Sequence, residues 1–134
     1  MNLRALVSVT GKPGLFKLIG QNKGGFILET LDKAKIKSVV NLSTTKMATL
    51  EDITIYGEEE EIKLLDVFET IKTKGLETPD VKASGDTLRD FFREVAPGHD
   101  ESRVYTSDIK KIISWYNIIK ELPIFDEEAP APLV

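Results

Sequence analysis

The hydrophobic period of the chain changes once, at Leu64, and that change limits the folds open to it. Before Leu64 the apolar residues come in short β-branched or aromatic runs bounded by turn residues, at 15–21, 25–31, 35–40 and 53–56. Runs of this kind suit half-buried strands, whose side chains point alternately to opposite faces. From Leu64 onward, Leu64, Val67, Phe68 and Ile71 stand at i, i+3, i+4 and i+7, the spacing of one helix face. Leu88, Phe91, Phe92 and Val95 repeat it, and Ile109, Ile112, Ile113, Tyr116 and Ile119 form a third stripe. Strands followed by helices, rather than alternating with them, predict an α+β fold.

Gln21-Asn22-Lys23-Gly24-Gly25 reads as a hairpin turn and Asp32-Lys33-Ala34 as a second. Strands this short expose edges unless the sheet curls on itself or is covered, so the expected N-terminal fold is a small SH3-like five-stranded β-barrel. Phe16, Leu18, Phe26 and Leu28, joined by Ile36 and Val40, share its interior, and Lys17, Lys35 and Lys37 face water. The Leu64 helix, with Asp66 in its first turn and Gly75 as its left-handed stop, covers the barrel and completes a unit over 1–74. Residues 75–84, which contain Thr78-Pro79-Asp80, lack apolar periodicity and read as a linker. A helical unit follows over 85–122, its first helix ended by Pro97-Gly98 and its second running from about Ser107 to Leu122. Trp115, Ile118 and Leu122 widen the stripe of that last helix, so it must contact partners on more than one side. The acidic, proline-rich segment 123–134 is expected to be a flexible tail.

Composition excludes several chemistries. The chain of 134 residues has no cysteine and one histidine, His99, which removes thiolate nucleophiles, disulfides and Cys- or His-rich metal sites. No apolar run approaches a membrane span, and Met1 to Thr10 lacks the pattern of a signal peptide, so a cytoplasmic protein without a membrane partner is expected. Charge is unevenly placed. Residues 1–50 carry eight lysine and arginine side chains against Glu29 and Asp32, whereas residues 51–80 carry ten carboxylates against Lys63, Lys72 and Lys74.

Few motifs carry chemistry. Gly11-Lys12-Pro13-Gly14 lacks the remaining residues of a phosphate loop and reads as a tight turn. Glu58 to Glu61 forms a solvated acidic run without the ligand spacing of a calcium loop, and Asp86, Asp90 and Glu94 mark the wet side of a helix. His99 beside Asp100 and Glu101 has no nucleophile or oxyanion donor near it in sequence and reads as an exposed loop histidine. The chain is therefore expected not to be an enzyme, with no catalytic, cofactor-binding or metal residues.

Two surfaces remain. In Arg103-Val104-Tyr105-Thr106-Ser107-Asp108-Ile109-Lys110-Lys111, Thr106 or Ser107 is expected to cap a helix with Asp108 in its first turn, and Arg103 and Lys111 join Trp115 and Tyr116 in a basic, aromatic partner-binding surface. In the first half, Lys12, Lys17, Lys23, Lys35 and Lys37 form a basic face able to track a phosphate backbone, with Phe16 or Phe26 as stacking platforms where exposed.

Three segments carry a resemblance: Gly11-Lys12-Pro13-Gly14-Leu15-Phe16-Lys17-Leu18; Leu50-Glu51-Asp52-Ile53; and Arg103-Val104-Tyr105 with Ser107 to Lys111 and Trp115-Tyr116. Through them the chain, except its tail, resembles an uncharacterised family of small Bacteroidota proteins, a domain of unknown function with an N-terminal barrel-like part and a C-terminal helical part. The resemblance implies no activity, cofactor or catalytic residue. The leading functional expectation is a protein-interaction or adaptor module that receives an unknown protein partner or a second copy. The alternative is an RNA- or ribosome-associated protein that uses the lysine face.

Overall fold

A hairpin opens the computed structural model, which describes residues 1–126 other than Asp32, Leu42 and Thr44. Strand β1 (Leu6–Val9) turns at Gly11, φ 87°, and pairs antiparallel with β2 (Lys12–Asn22). The hairpin expected at residues 21–25 then leads into β3 (Gly25–Thr30), with the Asn22 side chain accepting the Gly24 N–H at 2.8 Å. Gly25 is required there: at φ 140°, a Cβ would lie 1.9 Å from the Val40 carbonyl oxygen of strand β4 (Lys37–Val40). Strand β5 (Met47–Thr49) pairs on the far side of β1, giving an all-antiparallel sheet in the order β4-β3-β2-β1-β5.

The five-stranded count agrees with expectation, but the sheet is not closed into a barrel. Thr45 N–H bonds the Asn41 carbonyl at 2.9 Å and turns the chain, after which Thr10 N–H bonds Lys46 and fastens β5 to the first hairpin. The edge strands β4 and β5 therefore share no ladder. Inside the sheet, Val7, Val9, Leu28 and Val40 are buried, with Phe16, Leu18, Phe26 and Met47 packed on them. Ile36, expected among these, is 61% exposed. Lys35 adopts φ 46° just before β4, and the Ile36 backbone bonds Thr30 while its side chain turns out to solvent.

The second core lies between the other side of the sheet and the helices. After the small pair β6 (Thr54–Ile55) and β7 (Ile62–Lys63) come α1 (Leu64–Lys74), α2 (Gly85–Val95) and α3 (Thr106–Ile119). All four residues of the α1 stripe are buried, as are Leu88, Phe92 and Val95 of α2. They pack in one cluster with Leu3, Leu6, Leu15 and Leu50 from the first half and with the α3 stripe. Gly75, at φ 62°, ends α1 in the left-handed conformation, and Ser84 caps α2 by accepting the Thr87 N–H. The cap of α3 differs from expectation. Tyr105 is the N-cap, because the Asp108 carboxylate reaches back to its N–H at 3.0 Å.

Segment 75–84 has no helix or strand but is tied down: Leu76, Val81 and Ala83 pack against the core and Thr78 donates to the Asn117 side chain at 2.8 Å. The start of the expected tail is also docked. Pro123–Phe125 forms a short 3-10 turn whose Ile124 carbonyl accepts the Asn2 N–H, and the Phe125 ring meets Tyr116 edge-on at 5.8 Å. The rest of that tail, 127–134, lies outside the described residues. Among the described residues, no helix is long and apolar enough to cross a membrane.

Candidate functional site

Helix α3 is apolar on two sides, and the two sides do different things. Ile109, Ile113 and Ile119 are fully buried in the main core, while Ile112 and Trp115 lie where α3 meets the strands. Two depressions open there. One, of about 230 Å³, lies between α3 and β6 and is lined by Thr54, Tyr56, Arg103, Val104 and Ile112 among others. The other, of about 390 Å³, lies between α3 and the β1–β2 turn, against Ser8, Thr10, Gly11 and Gly14. Lys111 and Trp115 line both, so the two adjoin along α3, and the one against β6 is the groove that Arg103 also enters.

The charged rim is built locally. Arg103 stacks over the exposed Tyr56 ring at 4.6 Å and donates through Nε to Asp100 at 2.8 Å. Asp100 also accepts the Ser102 hydroxyl at 2.6 Å. Its carboxyl is pulled down from 3.8 to about 2, first by the Ser102 hydroxyl and then by Arg103. Arg103 is thus held by a carboxylate that stays charged. Lys111 makes no ion pair or hydrogen bond among the described residues, although it is exposed on the groove wall. Asp108, the one carboxylate lining the groove among the described residues, accepts the Tyr105 N–H.

The opposite wall carries a free backbone edge. Leu64 N–H bonds the Ile53 carbonyl and Ile55 pairs with Ile62, so the odd residues of β6 direct their backbone groups toward β7. The even residues face the other way. Tyr56 and Glu58 use that side to bond Asp100 and Gly98, each at 2.8 Å, and Gly57 bridges His99. Thr54, inside the groove, faces the same side, and among the described residues its N–H and C=O have no partner there.

Three of the four residues expected to form a partner surface, Arg103, Lys111 and Trp115, meet in this groove. Tyr116 does not: it is buried against Phe68, with ring centroids 5.7 Å apart, and burial raises its hydroxyl pKa with help from Glu69. The opposing wall, Thr54, Tyr56 and the Ser8–Gly14 turn, was not singled out from the sequence. Its advance signals are the strand run 53–56 and the Gly11–Gly14 turn, neither of which points to binding.

The lysines are arranged differently. Lys17 and Lys37 are exposed and flank Glu29 in one cross-strand row, Lys17–Glu29–Lys37, so a carboxylate separates them. Lys23 sits in the β2–β3 turn and Lys35 beyond the opposite end of β3. Lys12 begins β2, and its side chain lies outside the described residues. Phe16 and Phe26, half-buried, pack on the inner core of the sheet.

His99 is a correction, for it is 2% exposed rather than an open loop residue. The bridge to Gly57 draws it inward, its Nδ1 bonds the Ala96 carbonyl at 2.9 Å, and Phe92 packs edge-on against it. Since Nδ1 must donate to that carbonyl, Nε2 is left to accept from Arg89 at 3.0 Å. Arg89 also holds the Val104 carbonyl at 2.7 Å, fixing the segment that enters the groove.

Comparisons with known proteins divide the chain near residue 51. A model of one domain of unknown function (DUF5606) matches residues 3–50, and that of a second (DUF6852) matches residues 53–119. The chain is similar to a structural-genomics target from Bacteroides vulgatus solved by solution NMR. The two share 43% identity, over 87% of this chain and 84% of that one, with a TM-score of 0.69. No curated protein matches.

Proposed function

The chain belongs to the Bacteroidota family that joins these two domains of unknown function, and from that premise we propose that it is a non-catalytic cytoplasmic adaptor that receives a protein segment in the groove along α3. The observation that carries this reading is that Arg103, Lys111 and Trp115 meet Thr54 and Tyr56 around one depression, with a second adjoining it at Lys111 and Trp115. An apolar floor with a few directed polar groups is the usual make-up of a recognition site. The five-stranded antiparallel sheet, in which the consecutive strands β4 and β5 form opposite edges, supports an SH3-like description of the half that supplies part of the second wall. RNA binding by the lysine face is less well supported, because Glu29 interrupts that face and its phenylalanines are engaged in packing.

Affinity capture of tagged protein from its own cells, with and without nuclease, tests this reading. The expected result is a stoichiometric protein partner that survives nuclease and is lost with Lys111→Glu. Recovery that disappears with nuclease, and with Lys17→Glu and Lys35→Glu but not Lys111→Glu, would replace the adaptor by the RNA-associated protein.

A further inference from the structure

Resting on the adaptor reading, we infer that the groove takes an extended acidic segment, which adds a strand to the free edge of β6 at Thr54 and sets a carboxylate on Lys111. Three features of the site specify this partner separately. The first is the backbone edge: β6 is already paired with β7 on one side, and on the other it is covered by residues 98–100 only from Tyr56 onward. At Thr54 the N–H and C=O point into the groove, so a segment in β conformation continues a ladder whose direction is already set. A helix has no spare backbone groups to satisfy that edge.

The second feature is the spacing of apolar and polar surface. Alternate side chains of an incoming strand point to opposite faces. One set meets Val104, Ile112 and the indole of Trp115 on the floor, and the other meets the rim. The third is charge. Lys111 has no counter-ion among the described residues, Arg103 stands on Tyr56 at the other end, and Asp108 already serves the Tyr105 N–H. A carboxylate beside Lys111 gains an ion pair, whereas a lysine there meets a like charge.

The test uses the full chain, labelled with ¹⁵N, and three blocked synthetic peptides. One alternates glutamate with valine and leucine, one replaces each glutamate by lysine, and one is the acidic peptide with its central amide N-methylated. The acidic peptide is expected to bind about tenfold more tightly than the basic one, weakening severalfold as salt rises from about 50 to about 300 mM. Its shifts should centre on Thr54, Val104 and the Trp115 indole, and N-methylation should abolish them. Lys111→Glu, an exposed change on a helix surface, reverses the preference between the two peptides, and Lys111→Ala levels it. Equal affinity for acidic and basic peptides, indifference to N-methylation, or shifts centred on the β4 edge would each overturn the inference. The two readings fail separately. A cellular partner that needs Lys111 while the peptides are not discriminated leaves the adaptor and removes the acidic strand. Discriminated peptides with a cellular partner indifferent to Lys111→Glu do the reverse.

Discussion

Asp100 shows how a single carboxylate shapes the rim of the groove. Its folded pKa, about 2, lies below the ordinary 3.8, so the contacts it makes stabilise the fold at higher pH and are lost as pH falls from about 4 through about 2. A carboxyl-carbon NMR titration is expected to show that low midpoint. Asp100→Asn should release Arg103 from its Tyr56 stack without unfolding the chain, read as a loss of ring-current shift on the Arg103 side chain. His99 has the opposite character, buried and structural. His99→Ala leaves the part-buried Arg89 guanidinium without one acceptor and takes from the Ala96 carbonyl one of its two donors, the backbone N–H of residue 99 remaining, at a cost of about 1–3 kcal/mol in urea unfolding. The sequence could not reveal this burial. His99 stands among charged loop residues, and what buries it are Gly57 and Arg89, one of them far away in the chain.

At the scale of elements, helices were legible where each stripe is local. Leu64, Val67, Phe68 and Ile71 specify a face within eleven residues of helix, and no distant partner is needed to see it. Strands β1 and β5 were not legible, having four and three residues and no internal pattern long enough to show alternation. Their identity comes from pairing with each other across the intervening β2, β3 and β4. The groove divides in the same way: Arg103, Lys111 and Trp115 fall in one short stretch, whereas the wall that faces them comes from residues 8–14 and 53–56. A further prediction belongs here. Gly25→Ala meets both an unfavourable φ and the Val40 carbonyl, so it should strip hydrogen-exchange protection from β3 and β4 while α1 and α3 keep theirs. Phe68→Ala, in the main core, should instead lower protection everywhere and cost about 3–5 kcal/mol.

Across the whole molecule, β1 and β2 each serve both cores, β2 through Leu15 on one side and Phe16 and Leu18 on the other. Leu6 enters the cluster of the helices, while Val7 and Val9 enter the cluster of the sheet, because successive strand residues face opposite sides. The expected order, a sheet with one covering helix and then a helical unit, gives the succession of the elements, and the shared cluster gives their packing. Helix α1 lies in the same cluster as α2 and α3, and Leu3, Leu6, Leu15 and Leu50 from the first half complete it.

That shared cluster has a practical consequence at residues 51–52, where the two matched domains meet. A chain severed there yields one piece that bares Leu3, Leu6 and Leu15 and another that bares the facing sides of α1 and α3. Each piece is expected to be less stable than the whole, since each presents apolar surface that the other covers. Mixing the two should restore the circular dichroism of the intact chain, and Leu6→Asp in the first piece should prevent it. Two halves that regain the intact fold only together would serve as a split reporter, signalling whenever the proteins fused to them are brought into proximity.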